Sequence, residues 1–168
     1  MGGVIIPIDE PVPLLVWYGG EAADRARGSN WHEVLYGLGG DDRLGGGDNT
    51  DTLYGGAGND WLFGGAGDDR LHLGAGDQVW GGTGADLFMI EPGPGRAVVH
   101  DVQPGDRIDL SAFDLAFAAA DPGLEDGFAL WQVGDDLRLR LVDETGARLT
   151  IWLRDVQAAD LTADDFLF

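Results

Sequence analysis

The sequence predicts an all-β protein, a right-handed parallel β-roll followed by an antiparallel β cap. A glycine-rich repeat of nine residues runs without a gap from residue 19 to residue 89 and holds 20 of the 29 glycines. A short fixed period of this kind indicates stacked coils that bury a shared core. After residue 90 the repeat stops, and apolar segments separated by turn residues take its place, which is typical of antiparallel strands.

Composition limits the classes of partner. The chain of 168 residues has 30 acidic and 10 basic side chains, all of the latter arginine, and a formal net charge of −20. Such a charge disfavours nucleic acid and anionic membranes and favours cations. The absence of cysteine excludes disulfides and thiolate metal sites. The hydrophobic content of 44% is too high for a wholly disordered acidic chain.

The first eighteen residues, MGGVIIPIDEPVPLLVWY, are apolar but do not resemble a targeting segment. They lack a basic leader, and Asp9, Glu10 and three prolines interrupt the apolar run. We therefore expect neither a signal peptide nor a membrane span. Residues 1–18 are predicted to form an N-terminal edge strand or a cover over the first turn of the fold.

The repeat has an acidic residue at a fixed place and an apolar residue two places later. The eight units are GGEAADRAR (19–27), GSNWHEVLY (28–36), GLGGDDRLG (37–45), GGDNTDTLY (46–54), GGAGNDWLF (55–63), GGAGDDRLH (64–72), LGAGDQVW (73–80) and GGTGADLFM (81–89). The first six residues of a unit predict a turn, because glycine permits positive φ and close backbone approach. The last three predict a short strand whose apolar residue points inward.

Two units complete one coil, so turns on the same side stack at a period of eighteen residues. The acidic residues then form one stack of Asp24, Asp42, Asp60 and Asp77 and another of Glu33, Asp51, Asp69 and Asp86. Neighbouring strands lie about 4.8 Å apart, and carboxylates at that spacing repel by roughly 1 kcal/mol in water and more in a lower dielectric. A divalent cation between them reverses the sign of the interaction.

Calcium suits these stacks because it takes about 6–8 oxygen ligands from carboxylates and backbone carbonyls, whereas magnesium demands a tighter octahedron. We predict bridges at Asp42–Asp60, Asp60–Asp77, Asp51–Asp69 and Asp69–Asp86, about four good sites, with weaker ones at Asp24–Asp42 and Glu33–Asp51. The glycines predicted to line the sites are Gly37, Gly39, Gly46, Gly55, Gly56, Gly58, Gly64, Gly65, Gly67, Gly74, Gly76, Gly81, Gly82 and Gly84. In the alternative, each Asp only caps its own backbone turn.

The GGxGxDxUx pattern resembles the RTX family of hemolysin-type calcium-binding proteins, and in particular the C-terminal β-roll domain of serralysin-type secreted proteases. The segment VVHDVQPGDRIDLSAFD (98–114) and the closing LTADDFLF (161–168) extend the resemblance to residues 19–168. It implies calcium-dependent folding outside the cell after type I secretion through an uncleaved C-terminal signal. We expect no serralysin-type protease domain within these residues, because HEVLY (32–36) lacks the second histidine of a zinc-binding HExxH motif.

Residues 90–168 predict a C-terminal cap, and the resemblance implies that this cap carries a type I secretion signal. Segments 128–133, 137–142 and 148–153 predict a three-stranded meander that covers the last coil, and residues 111–123 predict a short helix. Asp101, Asp106 and Asp109 form either a further calcium site or a solvated loop. Trp131 and Trp152 are either part of the sheet packing or a platform for a sugar.

The sequence contains no convincing catalytic constellation, because its three histidines lack spaced partners and its two serines lie outside any GxSxG elbow. We predict a secreted, extracellular, non-enzymatic calcium-binding protein whose partners are calcium ions and the type I secretion machinery. An alternative is an accessory module that binds an acidic, alginate-like polysaccharide through its arginines. A further alternative is the C-terminal secretion domain of a larger hydrolase or epimerase.

Overall fold

A computed structural model describes residues 4–8, 14–113, 127–143 and 145–168. The described residues form sixteen strands and three short 3-10 turns. The strands are β1 Val4–Ile8, β2 Leu14–Tyr18, β3 Arg25–Arg27, β4 His32–Tyr36, β5 Arg43–Asp48, β6 Thr52–Tyr54, β7 Trp61–Ala66, β8 Arg70–Leu73, β9 Gln78–Thr83, β10 Leu87–Ile90, β11 Gly95–Val99, β12 Arg107–Asp109, β13 Gly127–Val133, β14 Asp136–Val142, β15 Arg148–Leu153 and β16 Phe166–Leu167.

The strands form two sheets of eight, which are called sheet A and sheet B below. Sheet A has the order β1-β2-β4-β6-β8-β10-β12-β16, and sheet B has the order β13-β14-β15-β11-β9-β7-β5-β3. Consecutive repeat strands alternate between the sheets, and within a sheet they pair in parallel. The predicted all-β parallel roll is therefore confirmed.

The register shows why the nine-residue period produces this arrangement. Leu35 pairs with Leu53, and Leu53 pairs with Leu71, so each step along sheet A is eighteen residues. The seventh unit is one residue short, yet Leu62 still pairs with Val79, because the missing residue is lost from the turn. The inward apolar residues of both sheets form one core, in which Leu44, Leu53, Leu62, Leu71 and Val79 have no exposed surface.

The strands of sheet B are longer than the predicted three residues. β5, β7 and β9 have six residues each and continue into the glycines of the next unit. Gly47 pairs with Gly65 in this extension, and Gly65 pairs with Gly82. Because glycine has no side chain to hold the strands apart, these segments continue the backbone hydrogen-bonding ladder. The sequence pattern had assigned them to turns.

The two ends of the roll differ. At the N-terminal end β1 pairs antiparallel with β2 and is the edge strand of sheet A. At the C-terminal end β13, β14 and β15 form an antiparallel meander, and β15 continues sheet B by pairing in parallel with β11. A 3-10 turn occupies Ser111–Phe113, and the rest of the predicted helix lies outside the described residues. Within the described ranges, no helix is long and apolar enough to cross a membrane.

Candidate metal centre at the turns of the roll

The acidic residues of each stack are joined by hydrogen bonds from one coil to the next. In the first stack, Asp24 N–H donates to Asp42 Oδ1 at 2.7 Å, Asp42 N–H to Asp60 Oδ1 at 2.8 Å, and Asp60 N–H to Asp77 Oδ1 at 2.9 Å. In the second stack, the bonds are Glu33 N–H to Asp51 Oδ1 at 2.8 Å, Asp51 N–H to Asp69 Oδ1 at 2.8 Å and Asp69 N–H to Asp86 Oδ1 at 2.9 Å. One oxygen of each aspartate acceptor is thus used to hold its turn against the preceding one.

The other carboxylate oxygen of most of these residues has no hydrogen-bond partner although it is buried. The residues concerned are Glu33, Asp42, Asp51, Asp60, Asp69 and Asp86. Their exposed fractions lie between 0% and 3%. Burying an ionised oxygen without a partner costs several kcal/mol or more, so native proteins pair such groups or place a cation beside them. The six oxygens therefore mark positions at which a cation would lower the free energy of the folded state.

Backbone carbonyls lie beside the unpaired oxygens. A Cβ atom placed on Gly37 would overlap both Asp42 Oδ2 and the carbonyl oxygen of Gly55 on the next coil. The same relation joins Gly46 to Asp51 Oδ2 and the Gly64 carbonyl. Two oxygens from successive coils thus meet where the first glycine of a unit leaves room for them.

The later glycines of a unit lie against the backbone of the preceding coil. Gly58 has a φ of +143°, and a Cβ there would overlap the carbonyl oxygen of Gly40. A residue with a side chain would be strained by this backbone conformation and also by the overlap of its Cβ atom. These glycines let successive turns stack closely enough for their oxygens to approach a common point.

Burial raises the pKa of the stacked carboxyl groups. The pKa of Asp51 is raised to about 8, those of Asp69 and Asp77 to about 7, and those of Asp60 and Asp86 to about 6. Desolvation is the main cause in each case, and neighbouring carboxylates of the same stack add to it. A metal-free roll at neutral pH therefore carries carboxylates that are costly to ionise.

The donor set fits calcium. Across the described ranges, no point gathers three or more histidine or acidic side chains. Each turn instead offers a hard carboxylate oxygen together with backbone carbonyl oxygens, which is the mixture that calcium accepts. Imidazole or thiolate ligands that would favour a transition metal are missing from these turns.

The structure places the predicted site residues in the stacks with one difference. Asp77 lies in the first stack, but its Oδ2 accepts a hydrogen bond from Gly74 N–H at 2.7 Å and is not left without a partner. Gly74 lies three residues before Asp77 in the short seventh unit, and in the first unit Gly20 N–H donates to Asp24 Oδ2 in the same way at 2.8 Å. The remaining predicted aspartates and the predicted glycines lie at the stacked turns.

The second stack continues beyond the repeats to a residue that the prediction left open. Asp86 N–H donates to Asp106 Oδ1 at 2.9 Å, and Asp106 is 2% exposed. Its Oδ2 accepts from Gln103 N–H, so Asp106 ends its stack as Asp77 ends the other. Ile108 follows it at the apolar place of a repeat unit, a signal present in the sequence. Asp101 instead accepts from Gly81 and Gly82 N–H.

Histidine chemistry of the protease type has no geometric support in the described residues. His32 lies in strand β4, with Nδ1 2.9 Å from the Thr50 carbonyl oxygen. His72 Nδ1 lies 3.6 Å from Glu91 Oε1, and His100 Nε2 lies 3.2 Å from Gln78 Oε1. The three rings lie on strands of the roll and its junction and do not converge.

Comparison with known protein families identifies the repeat segment. The profile of the RTX calcium-binding nonapeptide repeat, which comprises four copies, matches residues 18–53 and 45–77. Residues 18–77 belong to the RTX calcium-binding repeats. The unpaired turn oxygens of Asp42, Asp51, Asp60 and Asp69 all lie within this RTX segment. No curated protein sequence matches the chain significantly.

Solved structures resemble more of the chain than the RTX segment alone. The AlgE6R3 subunit from the Azotobacter vinelandii mannuronan C5-epimerase is 28% identical, with a TM-score of 0.58, over 89% of this chain and 80% of that chain. The AlgE6R2 subunit of the same enzyme is 27% identical, with a TM-score of 0.56, over 90% of this chain and 91% of that chain. Each of these similarities extends over both the repeats and the cap of this chain.

Proposed function

We propose that the protein is a non-enzymatic calcium-binding module whose folding depends on calcium held at the turns of its RTX repeats. The six buried carboxylate oxygens without partners are the observation that supports this proposal. Without a cation, desolvation and repulsion between stacked carboxylates oppose folding, as does the entropy of glycine. With calcium, each site contributes binding free energy to the folded state alone.

Circular dichroism in chelator and then in millimolar calcium tests the proposal. We expect a disordered spectrum in chelator and a β-sheet spectrum after addition of calcium, with a midpoint of about 10⁻⁴ to 10⁻³ M, as in extracellular calcium modules. Magnesium at the same concentration serves as the control and should induce little sheet. A full sheet spectrum in chelator would contradict calcium-dependent folding.

We also propose that the module is exported by a type I system and folds outside the cell. The resemblance of LTADDFLF (161–168) to the terminus of such substrates supports this. The low calcium concentration inside a cell would also leave the acidic stacks without bound ions until export. Co-expression with a type I exporter, with and without residues 161–168, tests it. Equal amounts of both forms in the medium would contradict the assignment of a signal to this segment.

A second function that we propose is binding of an acidic polysaccharide, on the outer surface of sheet B. This surface is called the arginine face and is defined by the outward side chains of sheet B and by Arg154. Its arginines are Arg25, Arg27, Arg43, Arg96, Arg138, Arg140, Arg148 and Arg154, eight of the ten in the chain. The described strands of this sheet contain two acidic residues, Asp48 at the end of β5 and Asp136 at the start of β14.

The guanidinium groups of the arginine face rest on aromatic rings. Arg43 lies 4.6 Å from the ring centre of Phe63, and Arg96 and Arg138 lie 4.8 Å and 3.9 Å from that of Trp152. In the described part of the chain, Arg154 is the one arginine of this face that forms an ion pair, with Asp136. A guanidinium stacked on a ring keeps its N–H edges free for a carboxylate.

The net charge of the chain argued against a polyanion, but it is unevenly distributed. Six divalent ions at the turns carry twelve positive charges and would reduce the formal charge from −20 to about −8. Calorimetry with mannuronan, the polymer after which the epimerase of the AlgE6 subunits is named, tests this function in saturating calcium. Heat and retention are expected for mannuronan and not for a neutral glucan, and the absence of both would exclude it.

A further inference from the structure

A groove of about 580 Å³ opens on the arginine face where the repeats meet the cap. Its lining includes Asn59, Gln78, Arg96, His100, Trp152 and Arg154. These side chains supply two guanidinium groups, two amides, an imidazole and an indole. The groove therefore combines anion-binding groups with hydrogen-bonding groups and a flat apolar surface, the combination that a carboxylated sugar requires.

The groove lies where the turn of the seventh repeat unit meets the start of β11, and there Gly76 N–H donates to the Arg96 carbonyl oxygen at 2.8 Å. β7 and β9 pair over five residue pairs, whereas β9 and β11 pair at Val98–Gln78 and Val99–Val79 only. The N-terminal part of β11 runs past the start of β9, beside the shortened turn of the seventh repeat unit. Strands β11 and β15 form walls of the groove. They pair in parallel over five residue pairs, which fixes their relative position.

A second cluster of arginines lies on the same face at the other end of the repeats. It comprises Arg25, Arg27 and Arg43 on β3 and β5. Between this cluster and the groove, Trp61, Phe63, Trp80 and His100 form a continuous aromatic strip, with centroid separations of 5.4 Å for Trp61–Trp80, 4.7 Å for Phe63–Trp80 and 4.0 Å for Trp80–His100. The strip carries no acidic side chain.

The spacing of the clusters indicates how a chain would lie. β11 and β5 are separated by three strand steps in sheet B, which is about 14 Å at the usual strand separation. A ligand that crosses the strands, along the roll axis, can reach both clusters. A ligand that lies parallel to the strands can reach one cluster, and it would extend over the acidic turns at the strand ends.

We infer that a linear acidic polysaccharide crosses the strands of the arginine face, with one sugar carboxylate on Arg96 in the groove and a later one on Arg43. This inference rests on the proposed polysaccharide binding. It adds the direction of the bound chain, the primary subsite and a dependence of affinity on chain length. A single chain fits the strip between the two rows of acidic turns, whereas a nucleic acid duplex would bring its phosphates against those turns.

Chain length and two arginine variants test the inference. Mannuronan oligomers from disaccharide to decasaccharide are titrated calorimetrically in saturating calcium against the wild type, R96Q and R43Q. R70Q, which changes an exposed arginine on the opposite sheet, is the matched control. Affinity should rise by at least about tenfold once the oligomer is long enough to bridge both clusters, because the second contact is then intramolecular.

The variants should separate the two contacts. R96Q should lower the affinity for every oligomer by about tenfold or more, since a charge-assisted hydrogen bond is lost. R43Q should leave the disaccharide unaffected and remove the gain of the longer oligomers, and R70Q should match the wild type. Circular dichroism in calcium confirms that each variant is folded.

Several outcomes would overturn the inference. A smooth increase of affinity with oligomer length, together with equal effects of R43Q and R70Q, would contradict bridging of the two clusters. An unchanged disaccharide affinity in R96Q would contradict the subsite at Arg96. Equal affinity for a DNA duplex would indicate unspecific polyanion binding instead. If the wild type binds no mannuronan of any length, the proposed polysaccharide function itself fails, which is a different result from binding without a length step.

Discussion

Each turn of the roll contains a carboxylate whose two oxygens have different roles. In Asp51, Oδ1 accepts the hydrogen bond from Glu33 N–H of the preceding coil, while Oδ2 is buried without a partner. The first oxygen holds the stack in register, and the second is the one that would contact calcium under the proposed function. On that proposal, the same residue stabilises the folded state when calcium is bound and destabilises it when calcium is absent.

Asp51→Asn should have opposite effects in the two conditions. The amide oxygen can keep the hydrogen bond from Glu33 N–H, but the charge that binds calcium is lost. In saturating calcium we expect the free energy of unfolding to fall by about 1–3 kcal/mol, and in chelator we expect the sheet content to rise. Thermal unfolding followed by circular dichroism measures both. The exposed Asp48→Asn is the control, and equal behaviour of the two variants would contradict the dual role.

Two adjacent glycines allow a matched test of the space at the site. A Cβ on Gly46 would overlap Asp51 Oδ2, whereas the nearest atom to a Cβ on Gly45 is the Phe63 carbonyl oxygen at 4.0 Å. Gly46→Ala should cost about 1–3 kcal/mol through overpacking and weaken calcium binding. Gly45→Ala should be close to neutral in both respects. Denaturant unfolding and a parallel calcium titration of both variants measure these effects. Similar losses of stability and of calcium affinity in the two variants would contradict this role of the first glycine.

At the scale of elements, the cap extends a sheet and does not only close an end. The meander continues sheet B through the parallel pair β15–β11, and β16 continues sheet A by pairing with β12. Leu139 and Ile151 are fully buried in the same apolar cluster as the repeat leucines. Repeats and cap thus share one core, and a defect in the cap should be felt by the repeats.

Ile151→Ala tests this coupling. Ile151 lies between Leu139 on β14 and Ala97 on β11, with no exposed surface. We expect a loss of about 2–5 kcal/mol in saturating calcium, and about 0.5–1.5 kcal/mol for the control Ile151→Val. The calcium midpoint should also rise, because binding is linked to folding. An unchanged midpoint with a destabilised cap would show that the two parts fold independently.

At the scale of the whole molecule, the turns act together as one charged array. Six unpaired carboxylate oxygens lie along the two stacks of a chain with a net charge of −20. The stacks end at Asp77 and Asp106, whose second oxygens accept hydrogen bonds from the backbone. Asp24, at the start of the first stack, also has its second oxygen bonded, by Gly20 N–H at 2.8 Å, so the unpaired oxygens lie between the ends of that stack.

The calcium stoichiometry should follow the unpaired oxygens. We expect six ions for each chain, counted by native mass spectrometry and by equilibrium dialysis. The sequence pattern alone predicted about four good sites and two weaker ones. A count of four would contradict one ion for each unpaired oxygen.

The response to pH should reverse when calcium is added. In the metal-free protein, the folded-state pKa values of about 6 to 8 exceed the usual value near 4, so the folded state binds more protons over that interval. The free energy of unfolding should therefore fall as the pH rises from about 4 to 8. With calcium, stability should rise over the same interval, because the ion binds ionised carboxylates. The sheet content of calcium-free protein, followed by circular dichroism from pH 4 to 8, measures the first slope, and thermal scans in saturating calcium measure the second. Equal signs would contradict the assignment.

Much of this architecture was predictable because the repeat is strictly local. The nine-residue period fixed the stacking of acidic residues, and the alternation in 137–142 and 148–153 fixed the meander. The extension of the sheet B strands into the glycines was missed, and Asp106 was left open between a further calcium site and a solvated loop. Contacts between coils decide both, and a local pattern does not contain them.

The sequence by itself determined the coil period, the inward leucines and the order of the repeat-unit carboxylates along the two stacks, because each follows from spacing within eighteen residues. Only the tertiary structure decided which carboxylate oxygens remain unpaired and which arginines share a face. Those properties depend on the register between coils and on the cap, where Arg138 and Arg96 meet over Trp152 from strands that are distant in the chain. Hydrogen bonds and charges act through space, so their pattern is settled only when the coils have stacked.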